Sequence, residues 1–159
     1  MADDMKTISI LGATGSIGTS SLNVISSLGD TYKVFGLSCH KNITLLKDQI
    51  HQFNPDYAII TDQSSYNLFL KEHGTNLGDT KILFGDEGLS IITSNKNVDT
   101  VIAAITGFSC IHPVITAINH NKTILIANKE ILVSAGNMII SQLRNSKAVM
   151  LPIDSEHNA

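Results

Sequence analysis

Three glycines spaced three residues apart, Gly12, Gly15 and Gly18, follow a short apolar run near the start of the chain. The apolar run predicts a strand, and the amphipathic stretch after the glycines predicts a helix. Glycines let the backbone turn sharply between the two elements and let a ligand approach it closely. A helix start also presents free N–H groups and the positive end of its dipole to an anion. The segment therefore predicts a strand–turn–helix unit suited to the pyrophosphate of a dinucleotide.

The glycine spacing is G-x-x-G-x-x-G, and Thr14 stands where the commoner dinucleotide fingerprint has its second glycine. No Gly-Lys-Ser or Gly-Lys-Thr follows, which excludes a P-loop. Glycine-rich turns also form for conformational reasons alone. Nucleotide binding is the favoured interpretation here, and a purely conformational turn is the alternative.

Composition excludes several other classes of protein. With 159 residues, the chain is long enough for one domain, or for one domain and the start of a second. A net charge of -3 with 16% charged residues argues against a nucleic-acid partner. No apolar run has the length of a membrane span, and the first residues resemble neither a signal peptide nor a transit peptide. Cys39 and Cys110 match no zinc or disulfide pattern, so we expect two buried thiols.

Strand-like segments alternate with helical periods along the chain, which predicts an α/β fold. Specifically, we expect a doubly wound, mostly parallel, Rossmann-like sheet with helices on both faces. Polar segments 76–79 and 94–99 are predicted as loops. The predicted strands are 7–11, 33–38, 57–61, 81–84, 100–104, 123–126 and 148–151, and the predicted helices are 17–28, 43–53, 64–73, 88–94, 111–120 and 129–143.

Ligands of such sheets bind at the carboxyl ends of the strands. After the first predicted strand, Thr14 and Ser16 offer hydroxyl groups to phosphate oxygens, and Gly15, Ser16 and Ile17 offer backbone N–H groups. This turn is the first of four candidate positions.

The second candidate position is His40-Lys41-Asn42. An NAD-selective site carries an acid near this point for the ribose 2′-hydroxyl, and no acid occurs between Lys33 and Lys47. An ammonium group attracts a 2′-phosphate, so Lys41 favours NADPH over NADH. The alternative is that Lys41 is a solvated loop charge.

The other two positions follow later strands. Asn128, Lys129 and Glu130 follow the sixth predicted strand, although an acid in a first helical turn is also ordinary helix chemistry. Asp154 and Glu156 follow the last strand and point the same way if the segment is extended, which suits a hard divalent ion. The alternative for this pair is a solvated acidic terminus.

Segments 12–18 (GATGSIG), 127–130 (ANKE) and 151–159 (LPIDSEHNA), in that order, resemble 1-deoxy-D-xylulose 5-phosphate reductoisomerases. The resemblance covers nearly the whole chain, and the last segment is the most specific. It implies conversion of 1-deoxy-D-xylulose 5-phosphate to 2-C-methyl-D-erythritol 4-phosphate in the non-mevalonate isoprenoid pathway. It also implies NADPH, a divalent Mg²⁺, Mn²⁺ or Co²⁺ ion and a homodimer. The bacterial cytoplasm is the expected location, and a plastid-type organelle is the alternative.

The resemblance further assigns roles to individual residues. The substrate would contact Lys129, Ser155 and Glu156, and the metal would bind Asp154 and Glu156. NADPH would bind Thr14, Gly15, Ser16, Ile17, His40, Lys41, Asn42, Asn128 and Glu130.

The chain departs from the family pattern in sequence and in length. His40 stands where the family commonly has glycine, and Ile131 stands where serine is usual. Family members continue well beyond residue 159. We therefore expect residues 1–152 to be the NADPH-binding domain and residues 153–159 to begin a catalytic region. By itself the 159-residue chain is expected to bind NADPH without forming product.

Two other functions fit the residues without the resemblance. One is a different NADP-dependent dehydrogenase, in which Asp154 and Glu156 are surface charges. The other is a non-catalytic dinucleotide-sensing domain, which would have no need of the Asp-Ser-Glu-His segment.

Overall fold

The computed structural model describes residues 5–153, in which eight strands form one sheet and helices connect most of them. In chain order the elements are β1 (Lys6–Leu11), α1 (Ser16–Ser27), β2 (Tyr32–Cys39), α2 (Ile43–Phe53), β3 (Tyr57–Ile60), α3 (Gln63–His73), β4 (Asn76–Leu77), β5 (Thr80–Phe84), α4 (Gly85–Ser94), β6 (Thr100–Ala103), α5 (Ile111–Asn119), β7 (Thr123–Ile126), α6 (Lys129–Ser134), α7 (Gly136–Arg144) and β8 (Val149–Pro152).

The strand order is β4-β5-β3-β2-β1-β6-β7-β8, and every neighbouring pair is parallel except the short β4–β5 pair. β1 lies between β2 and β6, so the direction of winding reverses there. In open α/β sheets this reversal opens a crevice at the carboxyl ends of the strands. The prediction of a doubly wound, mostly parallel sheet is confirmed.

Helices cover both faces of the sheet, as predicted. On one face α1, α2 and α3 bury an aliphatic core that includes Leu22, Leu46 and Phe69. On the other face α4 to α7 bury a second core that includes Ile92 and Ile118. Each fully buried aliphatic or aromatic side chain stabilises the fold by about 1.5–3 kcal/mol. The two cores hold the carboxyl ends of the strands in fixed positions.

The cover on the α1 face is incomplete beyond β1. An apolar groove of about 590 Å³ remains beside α1, over β6 and β7, with Ile8, Ile102, Leu125 and Ile153 in its lining. The helices of the second half of the chain all pack on the opposite face. The groove therefore follows from the winding of the chain.

Most predicted bounds lie within one residue of the structure, and three segments differ by more. The predicted helix 129–143 is two helices, because the chain leaves helical geometry at Ala135, before Gly136, a poor helix former. Segment 76–79, predicted as a loop, contains β4 and turns back onto β5 through Gly78 at a φ of 60°. Helix α4 begins at Gly85, three residues before the predicted start.

Other predicted signals lie where expected. Asn42 caps α2 by accepting a hydrogen bond from the Leu45 N–H, and Asn54 ends the same helix in the left-handed conformation.

Within residues 5–153 none of the helices combines the length and the apolar character that crossing a bilayer requires.

A buried lysine joins two loops at the amino end of the sheet. The Lys122 ammonium donates to the carbonyls of Asn95 and Val98, each at 2.6 Å. Burial lowers the pKa of Lys122, and the Asp99 carboxylate partly offsets this effect. The lysine ties the α4–β6 loop to the start of β7, at the end of the sheet opposite the crevice.

Replacing this lysine tests its structural role. Lys122→Met keeps the apolar stem but leaves two buried carbonyls without their donor, so the free energy of unfolding should fall by about 1–3 kcal/mol. Urea denaturation at neutral pH measures the change. Lys96→Met, in an exposed position of the same loop, is the control and should stay within about 0.5 kcal/mol of the parent chain. Equal stability of the two variants would contradict the assigned role.

Candidate functional site

The glycine turn joins β1 to α1 at the winding reversal and is tied to the end of β2. The Gly12 N–H donates to the Ser38 hydroxyl at 2.9 Å, and the Ala13 N–H donates to the Ser38 carbonyl at 2.7 Å. Within the turn, the Gly15 N–H donates to the Gly12 carbonyl at 3.2 Å. These bonds hold the backbone of the turn in one conformation.

The three glycines of the turn differ in what an added side chain would contact. Gly12 has a φ of 80°, and a Cβ there would lie 2.8 Å from the Ala104 carbonyl oxygen. A Cβ on Gly18 would overlap the Gly12 carbonyl. Gly15 differs, because its backbone is extended and a Cβ there would lie 3.5 Å from the nearest protein atom, an ordinary contact. The protein itself therefore requires Gly12 and Gly18, and the space at Gly15 is open.

Helix α1 presents its amino end to this open space. Gly15 is the N-cap and supplies no side chain, and no side-chain hydrogen bond caps the helix. The first intrahelical bond runs from the Thr19 N–H to the Gly15 carbonyl, so the N–H groups of Ser16 and Ile17 precede it. This 12-residue helix can thus direct backbone donors and the positive end of its dipole at an anion.

Two buried polar side chains that the sequence analysis did not identify hold the turn from behind. The Ser38 hydroxyl, 1% exposed, accepts from Gly12, and Gln49, 5% exposed, donates from α2 to the Ala13 carbonyl at 2.8 Å. A glutamine at a buried position of the Leu46–Ile50 apolar face of α2 is a signal that could have identified this role.

A cleft of about 450 Å³ opens in front of the turn, at the carboxyl ends of β1, β2, β3 and β6. Thr14, Gly15 and His40 were predicted at this edge from the sequence, and all three line the cleft. The residues from β3, α4 and the loop after β6, which are Thr61, Asp86, Thr106 and Ser109, were not predicted. The lining consists of Gly12, Thr14, Gly15, Ser38, Cys39, His40, Thr61, Asp86, Leu89, Ala104, Ile105, Thr106 and Ser109.

The loop after β2 brings its three predicted residues to the rim of this cleft. His40 lines the cleft, and its Nδ1 atom lies 3.0 Å from the Thr61 hydroxyl. Lys41 is exposed. The Asn42 side-chain oxygen caps α2, so its amide N–H groups remain for a ligand.

An acid also lies near Lys41, although none precedes it in the loop. The Asp62 carboxylate accepts from the Ser64 hydroxyl and from the backbone and hydroxyl of Ser65. These bonds, with a smaller contribution from Lys41, hold the pKa of Asp62 well below its usual range. Asp62 is therefore the N-cap residue of α3.

Asn128 has a structural role that the sequence analysis did not foresee. Its amide nitrogen donates to the carbonyls of Ile105 and Gly107, and its side-chain oxygen accepts from the N–H groups of Glu130 and Ile131. The side chain therefore joins the loop after β6 to the start of α6. Any contact of Asn128 with a cofactor is left to its backbone, since both amide hydrogens and both acceptor sites are in use.

The remaining predicted residues lie elsewhere. Ser16 is exposed at the start of α1, and Ile17 lines the apolar groove rather than the cleft. Lys129 and Glu130 are exposed in the first turn of α6. Residues Asp154, Ser155 and Glu156 are outside the described part of the chain. In residues 5–153 no group of three His, Cys, Asp or Glu side chains is placed to hold a metal ion.

Both cysteines are buried, as predicted. Burial raises the pKa of the Cys39 and Cys110 thiols to about 12, so at neutral pH neither forms the thiolate that a nucleophile requires. Cys39 contributes to the wall of the cleft, and the chemistry of the site rests on backbone donors, hydroxyls and the side chains of the β2 loop.

Comparison with known proteins gives one consistent result. The family model described as 1-deoxy-D-xylulose 5-phosphate reductoisomerase matches residues 8–136. A reductoisomerase of Clostridium kluyveri is 40% identical over 156 residues, which is 98% of this chain and 40% of that protein. A reductoisomerase of Nitrosomonas europaea is 44% identical over 153 residues, covering 96% of this chain and 37% of that protein.

Solved structures agree with the sequence relatives. A crystal structure of DOX-P reductoisomerase in complex with NADPH, fosmidomycin and magnesium has a TM-score of 0.88 and 41% identity, and the match covers 97% of this chain and 38% of that one. The Zymomonas mobilis enzyme in complex with NADPH has a TM-score of 0.86 and 36% identity, covering 97% of this chain and 40% of that one. The chain spans about two fifths of the length of these relatives.

The close contact at Gly18 leads to a stability prediction. Gly18→Ala should lower the free energy of unfolding by about 1–3 kcal/mol, because the methyl group meets backbone atoms that cannot rotate away. Gly136→Ala is the matched control, since it places the same methyl group in open space at the start of α7. That variant should be unchanged or more stable by about 0.4–1 kcal/mol. Thermal and urea denaturation of both variants measure the difference, and a Gly18→Ala chain as stable as its control would refute the assigned contact.

Proposed function

Because the chain belongs to the 1-deoxy-D-xylulose 5-phosphate reductoisomerase family, we propose that it is the NADPH-binding part of an enzyme of that activity. The enzyme would convert 1-deoxy-D-xylulose 5-phosphate to 2-C-methyl-D-erythritol 4-phosphate in the non-mevalonate isoprenoid pathway. In this proposal residues 1–152 form the NADPH-binding domain, and residues 153–159 begin the catalytic region.

The observation that carries the proposal is the open amino end of α1 in front of the glycine turn. A Cβ on Gly15 would project where no protein atom lies closer than 3.5 Å. The backbone N–H groups of Ser16 and Ile17 lie beside that space. A pyrophosphate needs this combination of close backbone approach and unpaired donors, so the described residues fit a dinucleotide.

The rest of the cofactor has matching positions along the same edge. The end of β2 supplies His40, Lys41 and Asn42 for the ribose and its 2′-phosphate, as the neighbouring strand end does in dinucleotide-binding sheets. The loop after β6 supplies Thr106 and the start of α6 supplies Glu130 on the far side of the turn. When bound, NADPH supplies the hydride that reduces the rearranged substrate.

The assignments of the metal ligands and of the substrate contacts rest on the sequence resemblance. Asp154 and Glu156 would hold a Mg²⁺, Mn²⁺ or Co²⁺ ion, whose chemistry is that of a Lewis acid and template. Lys129, Ser155 and Glu156 would contact the phosphorylated sugar. We also propose a homodimer and a bacterial cytoplasmic location for the full-length enzyme. A neighbouring structure with NADPH, fosmidomycin and magnesium supports the metal assignment, and the bacterial relatives support a bacterial source. The homodimer and the cytoplasmic location rest on the resemblance alone.

The open space at Gly15 can be tested directly. Gly15→Ala should leave the stability of the chain within about 0.5 kcal/mol of the parent, because the added methyl makes only ordinary contacts. It should weaken NADPH binding by about tenfold or more, the equivalent of about 1.4 kcal/mol, because the methyl occupies the approach to the phosphates. Isothermal titration calorimetry with Gly136→Ala as the control measures the effect. NADPH affinity equal in the two variants would place the pyrophosphate elsewhere.

A second experiment examines the choice of cofactor. Lys41→Ala should weaken NADPH binding by about tenfold and change NADH binding by less than about twofold, because only NADPH carries the 2′-phosphate. Lys71→Ala, at an exposed position in the last turn of α3, is the control for loss of one positive charge. Equal losses for the two nucleotides would show that Lys41 does not contact the 2′-phosphate.

A further inference from the structure

His40 is held in a defined orientation at the rim of the cleft. Its Nδ1 atom lies 3.0 Å from the Thr61 hydroxyl oxygen, which joins the end of β2 to the end of β3. Its backbone carbonyl accepts from the Asp62 N–H at 3.3 Å. The imidazole therefore does not swing freely in solvent, although the residue is exposed.

The contacts of Thr61 are compatible with a hydrogen on Nδ1 of the imidazole. A hydroxyl has only one hydrogen to donate. When the Thr61 hydroxyl donates to the Cys39 carbonyl at 3.3 Å, its oxygen can only accept from His40, and Nδ1 of the imidazole then carries a hydrogen. The Nε2 atom remains for a ligand. In the neutral ring it is an acceptor, and in the imidazolium it becomes a charged donor.

This change at Nε2 affects the two nicotinamide cofactors unequally, because a ribose 2′-hydroxyl can either donate to or accept from the ring, whereas a phosphate oxygen only accepts. A neutral Nε2 can accept a hydrogen bond from a ribose 2′-hydroxyl but offers only a lone pair to a 2′-phosphate. A protonated Nε2 donates to a phosphate oxygen in a charge-assisted bond, the stronger type of hydrogen bond. Histidine is the side chain whose ordinary charge change falls between pH 5 and 8.

Resting on the proposed NADPH-binding function, we propose that His40 is a specificity-determining residue whose protonated imidazole selects the 2′-phosphate of NADP(H). Selectivity for the 2′-phosphorylated cofactor then rises as the pH falls, and binding of that cofactor draws a proton onto the imidazole. The position of His40 within the β2 loop and its bond to Thr61 carry this inference.

Three other charged groups lie in the cleft or in the loops beside His40 and enter the same balance. Lys41 follows in the loop, Asp62 lies in the β3–α3 connection, and Asp86 lines the cleft from the first turn of α4. The phosphate group itself also loses charge near pH 6. A variant that changes only the imidazole retains all four contributions, so the difference between its pH profile and that of the parent chain reports on His40.

The experiment measures the ratio of NADP⁺ to NAD⁺ affinity by calorimetry on the 159-residue chain, with the acid-stable oxidised forms as probes. The ratio is determined at about pH 5.8 and about pH 7.8, which bracket the titration of histidine. His40→Asn retains a donor to Thr61 but lacks the distal nitrogen. His40→Gln places a neutral amide donor near the position of Nε2. Thermal denaturation shows whether each variant folds like the parent chain.

The ratio of NADP⁺ to NAD⁺ affinity should increase from about pH 7.8 to about pH 5.8. This increase should be larger in the parent chain than in His40→Asn by about fivefold or more. His40→Gln should follow the pH profile of His40→Asn, because its amide does not titrate. NADP⁺ binding to the parent chain, but not to either variant, should take up a proton from the buffer near neutral pH. This uptake appears as a dependence of the heat of binding on the buffer.

The outcomes separate this inference from the function on which it rests. Binding of both nucleotides with the same pH profile in the parent chain and His40→Asn would overturn the role of His40 and leave the proposed function intact. Absence of binding for both nucleotides in the parent chain would overturn the proposed function, and this inference with it.

Discussion

The backbone contact between Gly12 and Gly18 is the constraint on which the rest of the site depends. It allows α1 to start directly over the end of β1, closer than any side chain would permit. Ser38 then fixes the turn from the neighbouring strand through two hydrogen bonds. Because turn, helix start and strand end are locked together, the N–H groups at the start of α1 are aimed before any ligand arrives. A preorganised site of this kind loses little conformational entropy on binding.

In the proposed site, backbone groups and side chains serve different parts of the cofactor. The backbone at the start of α1 suits the pyrophosphate, which every dinucleotide carries. In the proposed complex, the loop after β2 would meet the part of the cofactor that distinguishes NADPH from NADH. Asp62 caps the start of α3, where three hydrogen bonds engage one of its carboxylate oxygens and favour its ionised form. Lys41 and the imidazole of His40 are left as the groups that can meet an added negative charge.

Local signals in the sequence predicted most of the elements and the position of the turn. The periodicity of the α2 segment, with Asn42 before it and Asn54 after it, predicted a helix that the structure contains with the same bounds. Long-range contacts were harder to predict. Asn128 was predicted as a cofactor residue from its motif, and the motif gave no sign of its two hydrogen bonds to carbonyls 21 and 23 residues away in the loop after β6. Thr61 and Asp86 were missed because no local pattern distinguishes them from ordinary residues at the ends of elements.

The sequence by itself determined the alternation of strands and helices and the need for glycine at the first turn, because both depend on neighbours within a few residues. The sequence also indicated the family, because the family's motifs occur in order along nearly the whole chain. Only the tertiary structure decided which strand ends share one cleft, because the winding reversal at β1 brings β2, β3 and β6 together. It alone decided the neighbour of the His40 imidazole, which is the hydroxyl of a threonine 21 residues away in the chain and adjacent in the sheet.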